Sequence, residues 1–140
     1  MKRCAGGILL QERQILLGKR SPDREFYPDV WDVVGGHCLN EEDPAHALVR
    51  ELEEEIDVMA VKFEKLSVLP EPQPELYGAH EYHIYIVTEW TGKGPTVLGK
   101  EHTELRWFPV EEALLLDYAH PGYGELFERI GKSLTGTDML

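Results

Sequence analysis

Glu51, Glu53, Glu54 and Glu55 crowd four carboxylates into five consecutive positions. They belong to a wider stretch, residues 36–58, with eight acidic side chains and a single base, Arg50. Like charges three and four apart on a helix repel by about 0.2–0.5 kcal/mol per pair. A divalent cation removes that repulsion. Mg2+ takes hard oxygen ligands and keeps positions open for water and phosphate oxygens. A solvated acidic face is the ordinary meaning of such a run, so the surrounding elements decide between the two.

Asp43 is a good N-cap and Pro44 suits the first helical position, which predicts a helix over residues 44–56. Ala45, Leu48, Leu52 and Ile56 follow helical spacing and form its buried stripe. Glu51, Glu54 and Glu55 stand at i, i+3 and i+4, on a face beside that stripe, while Glu53 points elsewhere. The carboxylates are therefore expected at the edge of the core, in a cleft. Just before the helix, Gly35 and Gly36 are expected to turn the chain, with a bare backbone that can approach a ligand.

Apolar runs at residues 7–10 and 14–18 around a polar QER predict a β-hairpin. Residues 30–34 (VWDVV), 61–69, 81–90 and 105–108 read as strands, with loops at SPDREFYPD and EPQPE. In residues 81–90, Tyr82, Ile84 and Ile86 share one face, and His83, Tyr85 and Val87 the other. A short helix from Val110 and a last helix around residues 125–134 complete an interspersed α/β pattern.

From Gly36 the chain reads G-x5-E-x7-R-E-L-x-E-E-x-D-V. This resembles the Nudix box, G-x5-E-x7-R-E-U-x-E-E-x-G-U with U aliphatic, and departs from it only where Asp57 replaces the last glycine. A hairpin before the box and an E-x5-W pattern after it, Glu101 to Trp107, extend the resemblance toward MutT-like members. It implies a single α/β domain over residues 1–140, an α/β/α sandwich with a mixed β-sheet and the box at 36–58. It also implies hydrolysis of a nucleotide phosphoanhydride with Mg2+ or Mn2+.

By that resemblance the Gly36 carbonyl, Glu51, Glu54 and Glu55 hold metal, and Glu101 joins them, with Glu104 as the alternative. Glu51, Glu54 and Glu55 are the catalytic set, and Glu51 either shares the metal or accepts the proton from water. Glu42 and Arg50 brace the loop against the helix. Of Lys19, Arg20 and Arg24, which end the second strand and begin the loop, Arg20 is expected to contact phosphate, and His120 falls roughly where relatives read the base. The implied reaction takes a (d)NTP to (d)NMP and pyrophosphate. ADP-ribose, NDP-sugar or dinucleoside polyphosphate hydrolysis are the alternatives. Further off stand an isopentenyl-diphosphate-isomerase-like enzyme, disfavoured by Gly35 where a catalytic Cys would stand, and a non-catalytic nucleotide-binding module.

Composition narrows the partners. The chain has 140 residues, 42% hydrophobic and 29% charged, as expected of one globular core. A net charge of −12 argues against gripping long nucleic acid and leaves a small-molecule nucleotide as partner. No apolar segment approaches the ~20 residues of a membrane span. Cys4 and Cys38 lack CxxC spacing and read as reduced thiols. A cytoplasmic monomer or homodimer is expected.

Overall fold

The computed structural model describes residues 1–139, with side chains through Leu134. The strands are β1 (Lys2–Gln11), β2 (Gln14–Arg20), β3 (Trp31–Asp32), β4 (Val34–His37), β5 (Met59–Pro70), β6 (His80–Thr91) and β7 (His102–Pro109). The helices are α1 (Pro44–Ile56), α2 (Pro74–Tyr77), α3 (Val110–Ala113) and α4 (Tyr123–Met139). The sheet is mixed. β1 runs parallel to β6, and the other pairings are antiparallel, along β3-β2-β1-β6-β5 with β4 on β1 and β7 on β2.

Alternation along β1 creates the layers. Ala5 and Leu9 face one side, where they pack with Leu48, Leu52 and Ile56 of α1. Ile8 faces the other, against Leu126, Phe127 and Ile130 of α4. Each of these Leu, Ile and Phe side chains is at most 3% exposed and contributes roughly 1.5–3 kcal/mol by burial. The result is an α/β/α sandwich. Among the described residues, no helix is long and apolar enough to cross a membrane.

The α1 boundaries match the local signals. The Asp43 carboxylate accepts from the Ala45 amide at 2.8 Å, and Pro44 occupies the first turn. Asp57 ends the helix in the left-handed region, at φ 59 and ψ 42, with its N–H reaching the Glu53 and Leu52 carbonyls. That is the conformation the replaced glycine would adopt without a side-chain penalty.

Three expectations are corrected. VWDVV is not one strand: β3 pairs with β2 through Lys19 and Gly18, whereas β4 pairs with β1. The chain changes partner at Val33 because β1 and β2 pair only at the hairpin end, Leu10 with Ile15 and Gln11 with Gln14. Nor do Gly35 and Gly36 form a turn. They are β4 residues opposite Gly6 and Ala5. Glycine is needed at 35 for clearance, since a Cβ there would collide with the Ala5 carbonyl oxygen. In addition, the EPQPE segment runs into a single helical turn, α2, where only a loop is expected.

Candidate active site

The site begins with a clamp. Arg50, on α1, donates to Glu42 through Nε at 3.0 Å and Nη2 at 2.8 Å, and to the His37 carbonyl from Nη2 at 3.0 Å. Its Nη1 donates to Glu51 at 2.9 Å and to Glu54 at 3.2 Å. Every N–H of the planar guanidinium is thereby engaged, which a lysine could not reproduce. Glu42 also accepts from the Leu39 amide at 2.9 Å. The Arg50 hydrogen bonds hold its carboxyl down at about 2. One side chain thus ties the end of β4, the following loop and α1 into a rigid unit.

The three glutamates grade from core to solvent. Glu51 is 8% exposed, Glu55 is half-buried and Glu54 is exposed. The Glu51 carboxylate lies against Gly36, where an added Cβ would stand 2.5 Å from its Cδ. Burial raises the Glu51 carboxyl above its ordinary 4.5, against the lowering hydrogen bond from Arg50. Glu55 is pushed up to about 7, first by burial and then by repulsion from Glu101, Glu51 and Glu54. Glu53, the remaining acid of the run, faces solvent.

Glu101 directly precedes β7 and comes to the end of α1. One ligand atom each from Glu55, Glu101 and His102 lie within 4.8 Å of one another. Arg24 stands 3.7 Å from Glu101. Glu104 instead pairs with Arg106 at 3.0 Å. Of the expected face of Glu51, Glu54 and Glu55, Glu55 joins this cluster, whereas Glu51 and Glu54 are held by Arg50 and Glu54 is exposed. Crowded, partly buried carboxylates with oxygen donors fit Mg2+ or Mn2+.

Next to this cluster a cavity opens, lined by Gly36, Glu101 and His102 at one side and by Phe26, Tyr27, Tyr82, His120 and Tyr123 elsewhere. Arg20 lies in its wall, but Asp32 at 2.8 Å and the Tyr27 and Phe26 carbonyls at 2.8 and 2.6 Å hold its guanidinium. His120 is 7% exposed, and both ring nitrogens are used within the protein. Nδ1 accepts from the Gly122 amide at 2.8 Å, and Nε2 donates to the Pro70 carbonyl at 2.7 Å. What His120 can offer a ligand is its ring.

Two features escape the sequence, and the choice of Arg20 over Arg24 is corrected. Glu71, taken with its loop, is 5% exposed and accepts from the Tyr27 and Tyr82 hydroxyls at 2.6 Å each and from the Gln73 amide at 2.8 Å. His102 joins the acid cluster, and burial lowers its imidazole below 6.5. Its one sequence signal is its place immediately after Glu101. Arg24, rather than Arg20, faces that cluster. Cys4 and Cys38 are free thiols, and Cys4 Sγ lies 3.3 Å from His37 Nδ1.

A family model described as NUDIX domain matches residues 1–130. Human diphosphoinositol polyphosphate phosphohydrolase 2 is 32% identical over 127 residues, which cover 86% of this chain and 63% of that protein. The chain therefore spans less than two thirds of this relative. An 8-oxo-dGTP diphosphatase of Buchnera aphidicola is 21% identical over 115 residues, 82% of each chain. Among solved structures, the E. coli ORF135 protein is similar with a TM-score of 0.73 and 29% identity, covering 91% of this chain and 86% of that one.

Proposed function

Since the chain belongs to the NUDIX domain family, we propose that it is a hydrolase that cleaves a nucleoside triphosphate to the monophosphate and pyrophosphate. The observation that carries this reading is the wall of the cavity beside the acid cluster. Among the described residues lining it, the guanidiniums are Arg20 and Arg24, set against the carboxylates of Asp32, Glu71 and Glu101. Arg20 is held by Asp32, and Arg24 lies beside Glu101. A diphosphoinositol polyphosphate carries several phosphates around its ring and calls for many free cations. A nucleotide calls for cation help at one end only, and for flat apolar surface under the base. Phe26, Tyr27, Tyr82 and the blocked ring of His120 supply that surface.

In this reading the base lies among the aromatic rings, and the phosphates extend toward Glu51, Glu55 and Glu101. Arg24, with a side chain 29% exposed, reaches the phosphates, while Arg20 shapes the wall. A bound divalent cation would supply Lewis acidity toward the phosphate oxygens. The Glu51 carboxylate accepts the proton of the attacking water. The new P–O bond forms as the bond to the leaving pyrophosphate breaks. Burial of Glu51 raises its basicity, and the Arg50 clamp fixes its direction. The similarity to an 8-oxo-dGTP diphosphatase supports nucleotide-pool sanitising as the role within this reading.

The test is a panel of (d)NTPs including 8-oxo-dGTP, with ADP-ribose, NDP-sugars, dinucleoside polyphosphates and a diphosphoinositol polyphosphate. Pyrophosphate and phosphate are read separately with Mg2+ and with Mn2+. Pyrophosphate from triphosphates is the expected result. Turnover confined to the other compounds sinks the triphosphate reading and leaves the family assignment standing.

A further inference from the structure

His102 stands apart from the other histidines. It is 7% exposed, yet among the described residues its ring makes no hydrogen bond. His120 and His83 use both nitrogens, and His80 and His37 each use Nδ1, while His46 is exposed. No fully buried side-chain nitrogen or oxygen among the described residues lacks a hydrogen-bond partner, so the unpaired nitrogens of this ring keep access to the adjoining cavity. The ring is also fixed in place. It lies flat over Gly18, where an added Cβ would strike its Cδ2 and come within 2.9 Å of its Nε2. The cavity of the acid cluster reaches this ring, and one of its nitrogens lies within 4.8 Å of oxygens of Glu55 and Glu101.

We propose that His102 is a nitrogen ligand that, with Glu55 and Glu101, makes this a mixed-donor site selective for a first-row transition-metal ion over Mg2+. The inference rests on the reading that the acid cluster holds a divalent cation. It adds to that reading the donor type and the metal preference. Imidazole is a favoured ligand of transition metals, whereas Mg2+ keeps to oxygen donors. Two carboxylates and one neutral imidazole also leave coordination positions free for water and phosphate oxygens. The histidine is thereby a determinant of which cation the enzyme uses.

The probe is Mn2+ alone, followed by electron paramagnetic resonance on the full chain. Wild type should show one bound ion with 14N modulation from a coordinated imidazole, lost in His102→Gln. Competition should show Mn2+ bound at least about 10-fold more tightly than Mg2+, since removing even an outer-shell partner of a metal ligand costs 10–100-fold. In His102→Gln that ratio should collapse toward one, with Mg2+ affinity little changed. Thermal unfolding of the metal-free variant checks its fold, and the wild-type spectrum decides the ligand question without any variant. Bound Mn2+ with oxygen ligands only, or 14N modulation that survives in His102→Gln, overturns the proposal while leaving the cation site intact. No bound Mn2+ overturns both.

Discussion

The carboxylate of Glu51 rests on the Cα of Gly36, so closely that a single added methyl would lie 2.5 Å from its Cδ. Gly35, its neighbour in β4, has a different obstacle: the carbonyl and Cα of the paired strand. One glycine makes room for a reactive side chain, the other for backbone.

Alanine at the two positions should therefore have opposite consequences. Gly36→Ala can be relieved by swinging the Glu51 carboxylate, so the fold survives while the reactive group moves. A misplacement of ~1 Å can cost ~10²-fold in rate, and that loss of kcat is expected with an unchanged circular dichroism spectrum. Gly35→Ala meets backbone that cannot swing away, and overpacking of this kind costs about 1–3 kcal/mol. Urea titrations of both variants check the contrast. A Gly36→Ala enzyme of wild-type kcat would remove Glu51 from the chemistry.

Glu51→Gln retains the size of the buried side chain and removes its basicity. Loss of a general base costs ~10²–10⁴ in rate, and that fall in kcat is expected. Glu53→Gln, on the exposed side of the same helix, is the matched control and should stay within about twofold of wild type, as surface substitutions do. Steady-state kinetics on the best substrate decide. Equal losses in the two variants would mean that helix charge in general, and not the Glu51 position, matters.

The Arg50 clamp predicts non-additivity. Arg50→Lys cannot keep the paired bonds to Glu42 together with those to Glu51 and Glu54. Its kcat should fall roughly 10–100-fold, the range seen when groups that orient ligands are removed. Glu42→Gln should fall in the same direction. Because both act through one geometry, the double variant should be scarcely slower than Arg50→Lys alone. Losses that multiply would show two independent roles.

Glu71 carries a pH signature. Burial raises its carboxyl, but hydrogen bonds from Tyr27, Tyr82 and the Gln73 amide outweigh it, and the net shift is below 4.5. A depressed folded-state value stabilises the protein above the unfolded value and loses that contribution as pH falls through the folded one. The stability advantage of wild type over Glu71→Gln should thus be level above pH 5 and shrink on further acidification. Urea midpoints across that range measure it. An advantage that grows toward acid pH would refute the assignment.

How much of this was legible beforehand follows the range of the interactions involved. The α1 helix, its N-cap at Asp43, its left-handed end at Asp57 and the shared edge of Glu51, Glu54 and Glu55 depend on neighbours within a few positions. Periodicity displays such relations directly. The meeting of Arg50 with Glu42 is only slightly less local, because Glu42 stands just before the N-cap and about two helical turns bring Arg50 back over it. Tertiary structure alone decided what arises between distant segments. Gly35 and Gly36 are extended because β4 finds a partner in β1, and nothing within VWDVVGG announces that partner. Arg20 is occupied because the chain folds back to bring Asp32, Phe26 and Tyr27 around it. Glu71 sits in a proline-rich loop that looks solvated until tyrosines from the Arg20–Trp31 connection and from β6 close over it. His102 reaches Glu55 because β7 lays its first residues beside the end of α1. Composition and spacing can say which residues are able to bind a cation or a base, but only the pairing of strands far apart in sequence says which of them share one cavity.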